Sequence, residues 1–170
     1  MSLAIPQNID LYANVARETA SLAPIDVTLL VPQLNSDDKI GAIKELVDLL
    51  HAGGYVQDSL AFLQSVLERE ALQSTILDDV ALPHARCASV NKMGLAMGIA
   101  RPAIDFPSGD DRGHVDIICL IAVPAQSADD YLTILSTLAR MFSDVDLKTI
   151  LTDCSSSEDL RTTLLSCFIP

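Results

Sequence analysis

The chain is 170 residues long, about the length of one domain, and its 49% apolar and 20% charged content excludes wholesale disorder. Eleven Lys and Arg against 23 Asp and Glu leave a formal charge of −12. That is the wrong sign for a nucleic-acid binder, which needs a basic face to displace counterions, and for docking on anionic lipid.

Aromatic residues are 4% of the chain and Trp is absent, so the core must be filled by Leu, Ile, Val, Ala and Met. No stretch approaches the roughly 18 apolar residues of a membrane span; the best, Ile117 to Val123, stops at Pro124. No basic segment precedes an apolar one at the N-terminus, so a cytoplasmic protein without direct membrane insertion is expected. Cys87, Cys119, Cys154 and Cys167 show neither C-x-x-C spacing nor metal spacing with His, and they read as reduced, mostly buried thiols.

In chain order, residues 1 to 24 read as an N-terminal extension to a domain over 25–170, with Leu11, Val15, Ala16 and Leu22 on one side of a short helix. Asp26 to Val31 is rich in β-branched residues and ends at Pro32, as a short strand or extended entry does. Ser36 is the candidate N-cap of a first long helix, with Asp37 and Asp38 in its first turn and Ile40, Ile43, Leu46, Val47 and Leu50 at helical spacing. Gly53-Gly54 ends it by permitting a left-handed residue.

Asp58 caps a second helix whose apolar positions are Leu60, Leu63, Val66, Leu67 and Ala71. Val80 to Leu82 is a short apolar piece that runs into Pro83-His84. Gly94 to Ala100 and Val115 to Val123 read as strands, the second apolar enough to be covered on both faces. Asp105 to Gly113 reads as the surface turn between them. A helix from Ser127-Ala-Asp-Asp130 carries Leu132, Leu135, Leu138, Ala139 and Phe142 on one side, and a last helix begins near Ser156. The order predicts an α/β fold, a mixed sheet with helices on both faces.

Three histidines bound the chemistry. His51, in the last turn of the first long helix, suits the helix dipole, and His114, beside Gly113, reads as a surface residue. His84 differs, because the buried segment Val80-Ala81-Leu82-Pro83 delivers it to a strand edge and Pro83 restricts the backbone ahead of it. No two-His-plus-carboxylate spacing or G-x-x-x-x-G-K-[ST] is present, so no metal, no cofactor and no nucleotide-fuelled kinase activity is expected.

Arg69-Glu70, then Ser74-Thr75, then Ala81-Leu82-Pro83-His84-Ala85-Arg86 follow one another at set intervals, ahead of the Gly94 and Val115 strands and Ala122-Val123-Pro124. In this series the chain resembles the IIA domains of the bacterial phosphoenolpyruvate-dependent phosphotransferase system, in the fructose/mannitol class that also holds the nitrogen-regulatory proteins. The resemblance covers residues 26 to 168. It implies that His84 accepts a phosphoryl group from the histidine-containing phosphocarrier protein and passes it to a cysteine of a IIB component, so that the protein is a phosphotransferase component acting as a carrier. The alternative it leaves open is a regulatory module whose phosphorylation state at His84 controls partner proteins.

The residue chemistry agrees with either reading. Neutral imidazole is a nucleophile near pH 7, and phosphoryl transfer asks the protein mainly for positioning and charge stabilisation. Arg69 is the candidate for stabilising the phosphoryl oxygens, since a planar guanidinium fits them; it equally suits an ion pair with Glu68 or Glu70. Thr75 is a candidate donor to the same oxygens, or a plain turn residue. Leu82 with Ile76 or Leu77 is the expected contact patch for the phosphocarrier.

Two features depart from the family pattern. Tyr131 stands where a second histidine is common, and a phenol donates one neutral hydrogen bond but does not become cationic near neutral pH. The turn Leu77-Asp78-Asp79-Val80 lacks the usual glycines and is one residue shorter, which brings two carboxylates toward the site unless they sit at the exposed tip.

Overall fold

Aspartates begin the helices that open the domain. The computed structural model describes residues 26–110, 112–127 and 130–168. The expected extension over residues 1 to 24, with its short helix, lies outside them. After a 3₁₀ turn at Val27–Leu29 and strand β1 (Leu30–Val31), helix α1 spans Lys39–Ala52. Its cap is Asp38, not Ser36: Asp38 Oδ1 accepts from Gly41 N at 2.7 Å. Ser36 instead gives its N–H and hydroxyl to the Glu45 carboxylate. Gly54, at φ +80°, supplies the left-handed residue after α1. Asp58 caps α2 (Ser59–Leu72) by accepting from Ala61 N at 3.0 Å.

Most of the expected apolar positions face the core: Ile43, Leu46, Val47 and Leu50 of α1 and Val66 of α2 are buried, with Leu63 and Leu67 packed against them. Ile40 and Leu60 are exposed, and the buried positions of α2 are Phe62, Val66 and Glu70, four residues apart on one face. Leu132 is likewise exposed on α3 (Asp130–Met141), whose buried side includes Ile134, Leu138 and Met141. Helix α4 (Val145–Asp153), which the sequence reading did not foresee, starts where Asp144 Oδ1 accepts from the N–H groups of Asp146 and Leu147. Helix α5 spans Ser157–Phe168.

Six strands form one mixed sheet. β2 (Ile76–Leu77), β3 (Val80–Ala81), β4 (His84–Cys87), β5 (Gly94–Asp105) and β6 (His114–Pro124) join β1 in the order β1-β5-β6-β3-β2, and β4 also pairs with β6. β6 is central: β5 lies antiparallel on one side, and β3 and β4 lie parallel on the other. β3 and β4 keep one register on β6, with Ala81 opposite Ile118 and His84 opposite Ile121, so they are a single line of strand interrupted at Leu82-Pro83.

Side chains of β6 alternate between two cores. Ile118, Leu120 and Ala122 face the core closed by α1 and α2, and Ile117, Cys119, Ile121 and Val123 face the one closed by α3, α4 and α5. Helices thus cover both faces, as predicted. The segment from Asp105 to Gly113 is not a plain surface turn: Phe106 is fully buried and Ser108 nearly so. Cys87, Cys119 and Cys154 are free thiols, and no helix among the described residues is long and apolar enough to cross a membrane.

Candidate functional site

His84 opens β4 and is held by its own backbone. Its Nδ1 lies 2.9 Å from the carbonyl oxygen of Leu82, two residues earlier. A carbonyl can only accept, so Nδ1 carries the proton and the lone pair of the neutral ring resides on Nε2. The imidazole is more enclosed than a residue delivered to a bare edge would be, with 8% of its surface exposed. Burial pushes its pKa down from the usual 6.5; the Leu82 carbonyl opposes that, the positive charge of Arg69 adds to it, and the negative charge of Glu70 opposes it. The net result is an imidazole kept neutral, and hence nucleophilic, through and below neutral pH.

The structure brings three of the four sequence candidates to one place. Arg69, in the last turn of α2, acts electrostatically on His84 and donates from Nη1 to the Gln73 carbonyl at 3.1 Å. Tyr131, in the first turn of α3, has its ring centroid 6.3 Å from that of His84 with the planes tilted by 46°. Arg86 sits over the other partner of this contact, its guanidinium carbon 5.3 Å from the Tyr131 centroid, and also donates to the Ser127 carbonyl. Alternation along β4 explains the grouping. Ala85 faces the α1 and α2 core, so His84 and Arg86 both turn to the α3 side, where Tyr131 packs.

Thr75 is placed differently from its expected use. Its N–H and hydroxyl both go to Glu70, at 3.0 Å to Oε1 and 2.7 Å to Oε2. The single hydroxyl proton is therefore committed to a carboxylate rather than presented to a phosphoryl oxygen. Leu82, expected in a contact patch, is 6% exposed and belongs to the core. The turn carboxylates do not press on the imidazole: Asp78 is exposed at φ 55°, and Asp79 is paired with Lys148 Nζ at 2.6 Å.

Glu70 is the residue that sequence reasoning missed. It is 1% exposed and pairs not with Arg69 but with Thr75 and with Ser108, whose hydroxyl donates at 2.7 Å; Ser108 in turn accepts from Lys39 Nζ at 3.1 Å. Its signal was its place, four and eight residues after Val66 and Phe62 on a buried helix face, where a carboxylate must be fully bonded to be tolerated. His51 donates to the Val56 carbonyl and His114 bonds Asp105 at the surface; both lie outside this group. Among the described residues, no cluster of His, Cys, Asp and Glu is arranged to hold a metal ion.

Residues 24–167 match the family model of the phosphoenolpyruvate-dependent sugar phosphotransferase system, EIIA 2. The chain is 34% identical over 127 residues to the fructose-specific EIIA component of Haloferax volcanii, covering 74% of this chain and 82% of that one. It shares 27% identity and a TM-score of 0.74 with the nitrogen regulatory protein IIA-Ntr of Neisseria meningitidis, over 83% of this chain and 96% of that one. The mannitol enzyme IIA of Escherichia coli, solved in complex with phosphorylated enzyme IIB, has the same fold at 19% identity and a TM-score of 0.69, over 83% of this chain and 96% of that one. The chain belongs to the EIIA 2 family of the sugar phosphotransferase system, whose members are carriers in phosphoryl transfer.

Proposed function

We propose that this chain carries a phosphoryl group on His84, received from the histidine-containing phosphocarrier protein and delivered to a IIB component. The observation that carries the reading is the Nδ1–Leu82 hydrogen bond, which leaves Nε2 as the nucleophilic nitrogen of a buried, neutral imidazole. In the first transfer the Nε2 lone pair forms a bond to phosphorus while the donor's N–P bond breaks, its electron pair returning to the donor imidazole. In the second, a IIB cysteine thiolate attacks the same phosphorus and the Nε2–P bond breaks, restoring neutral His84. Arg69 balances the charge on the phosphoryl oxygens, the Tyr131 phenol donates one hydrogen bond to them, and Thr75 supports the site through Glu70.

Incubation with phosphoenolpyruvate, enzyme I and the phosphocarrier is expected to add one phosphoryl group to the wild type and none to His84→Ala. An unlabelled wild type, or a labelled His84→Ala, rejects the reading. The likeness to a nitrogen regulatory IIA protein supports a second use of the same site, as a switch for a non-transport partner. Affinity capture discriminates the two: a IIB protein among the captured partners supports transport. Non-transport partners whose capture depends on the state of His84 support regulation.

A further inference from the structure

We infer that Glu70 is a positioning residue for His84, acting by withdrawing one backbone hydrogen bond from the β2–β3 hairpin. In this hairpin Leu77 lies opposite Val80 and Ile76 opposite Ala81. The next pair in that antiparallel register is Thr75 with Leu82. Directly opposed residues at such a position exchange two bonds, each N–H going to the other's carbonyl. Only one of the two is made here. Leu82 N donates to the Thr75 carbonyl at 3.3 Å. The reciprocal donor, Thr75 N, turns to Glu70 Oε1 at 3.0 Å, and the Leu82 carbonyl that would have received it accepts from His84 Nδ1 at 2.9 Å.

The exchange has a chemical consequence. A charged acceptor outcompetes a backbone carbonyl for an N–H, and Glu70 is locked in place by the Thr75 and Ser108 hydroxyls. With the strand bond removed, the Leu82 carbonyl is aimed at the imidazole and fixes the proton on Nδ1. That choice puts the lone pair on Nε2. A carboxylate that never touches the reacting nitrogen thus sets which nitrogen reacts. The role rests on the phosphocarrier reading for its purpose but not for its measurement, since the tautomer of His84 can be read without phosphate.

The test is ¹⁵N NMR of the imidazole in the intact chain at pH 7.5, in wild type, Glu70→Leu and Glu70→Gln. Wild type is expected to show the Nδ1–H tautomer, with no through-hydrogen-bond coupling between the Thr75 amide and the Leu82 carbonyl carbon. Glu70→Leu returns the Thr75 N–H to Leu82 and shifts His84 toward the Nε2–H form, and transfer from the phosphorylated phosphocarrier falls about five- to tenfold, as loss of one neutral hydrogen bond does. Glu70→Gln keeps an acceptor oxygen and is expected to restore the Nδ1–H form. A Thr75–Leu82 coupling in the wild type, which requires no variant to fold, overturns the inference. So does a Glu70→Leu protein that folds and keeps the Nδ1–H tautomer. An unphosphorylated wild type with the predicted tautomer would reject the carrier reading alone.

Discussion

Replacing Arg86 by Gln removes the cation over Tyr131 and the donor to Ser127 while keeping an amide of similar reach. Arg86 is exposed, so the contact belongs at the lower end of cation–π strength, about 0.5–1 kcal/mol, a factor of roughly two to five. The Tyr131 ring lies against both this guanidinium and the tilted imidazole of His84. On the proposed carrier reading, loss of Arg86 lets the ring explore other rotamers, so that its hydroxyl meets a phosphoryl oxygen less often. Tyr131→Phe removes the hydroxyl itself, which as one neutral hydrogen bond is worth about 1 kcal/mol, or roughly fivefold.

The assay is single-turnover transfer from the phosphorylated phosphocarrier at saturating donor, in wild type, Arg86→Gln, Tyr131→Phe and the double variant. Arg86→Gln is expected to slow transfer two- to fivefold. The double variant should be no slower than Tyr131→Phe, because aiming a hydroxyl that is absent has no value. If the double variant shows the product of the two single effects, Arg86 does not act through Tyr131 and the coupling is refuted.

Three further outcomes follow from the same geometry. His84 should titrate below 6.5, because burial and then Arg69 disfavour its imidazolium more than the Leu82 carbonyl and Glu70 favour it. Its stabilising contribution is therefore complete above about 6.5 and lost as pH falls from there through the folded value, and an NMR titration midpoint above 6.5 would contradict this. Tyr131→His should favour the phosphorylated form by about fivefold through a charged donor, the gain being limited by the nearby Arg86 cation; an equilibrium measurement with the phosphocarrier that shows no gain would count against a phosphate-facing position 131.

Asp116→Asn should raise stability at pH 7. Burial, followed by the negative charge of Asp79, holds the Asp116 carboxyl above its usual 3.8, and its Oδ1 is buried with no hydrogen-bond partner. A raised carboxyl favours the fold only when protonated, so the advantage of Asn should vanish as pH falls through the carboxylate range. Equal urea midpoints for the two proteins at pH 7 would refute it.

Local rules were enough to place most elements, and their failures have specific causes. Gly54 and Asp58 punctuate the chain as their chemistry demands, and the apolar run from Val115 to Val123 is the central strand because both of its faces are covered. Ser36 and Asp38 are both competent caps, so local rules alone start the first helix too early. The Glu45 carboxylate, nine residues beyond Ser36, decides between them by occupying the Ser36 hydroxyl. Helix α4 is hidden in the sequence because its buried Lys148 breaks the apolar spacing that would reveal it. That lysine is accounted for only by Asp79, 69 residues earlier, which no window along the chain can see.

The sequence nominates a candidate site by residue type but does not show its wiring. His84 and Arg69 are nominated by the ordered series Arg69-Glu70, Ser74-Thr75 and Ala81 to Arg86 and by the family resemblance it carries, since a lone histidine after a proline suits a structural role as well. The sequence offers Thr75 either to phosphate or to a plain turn, and does not show that it bonds Glu70. It equally offers Arg69 an ion pair with Glu68 or with the adjacent Glu70. On a helix, however, neighbours one apart point in different directions, about 100° around the axis, so adjacency separates Arg69 from Glu70. Glu70 falls on the face that carries Phe62 and Val66 and is driven inward with them. Once buried, a carboxylate must find donors or be expelled. The hairpin supplies two of them, the Thr75 N–H and hydroxyl, and Ser108 supplies the third. The fold's demand that a buried charge be satisfied and the site's demand that one carbonyl be released are met by the same hydrogen bond.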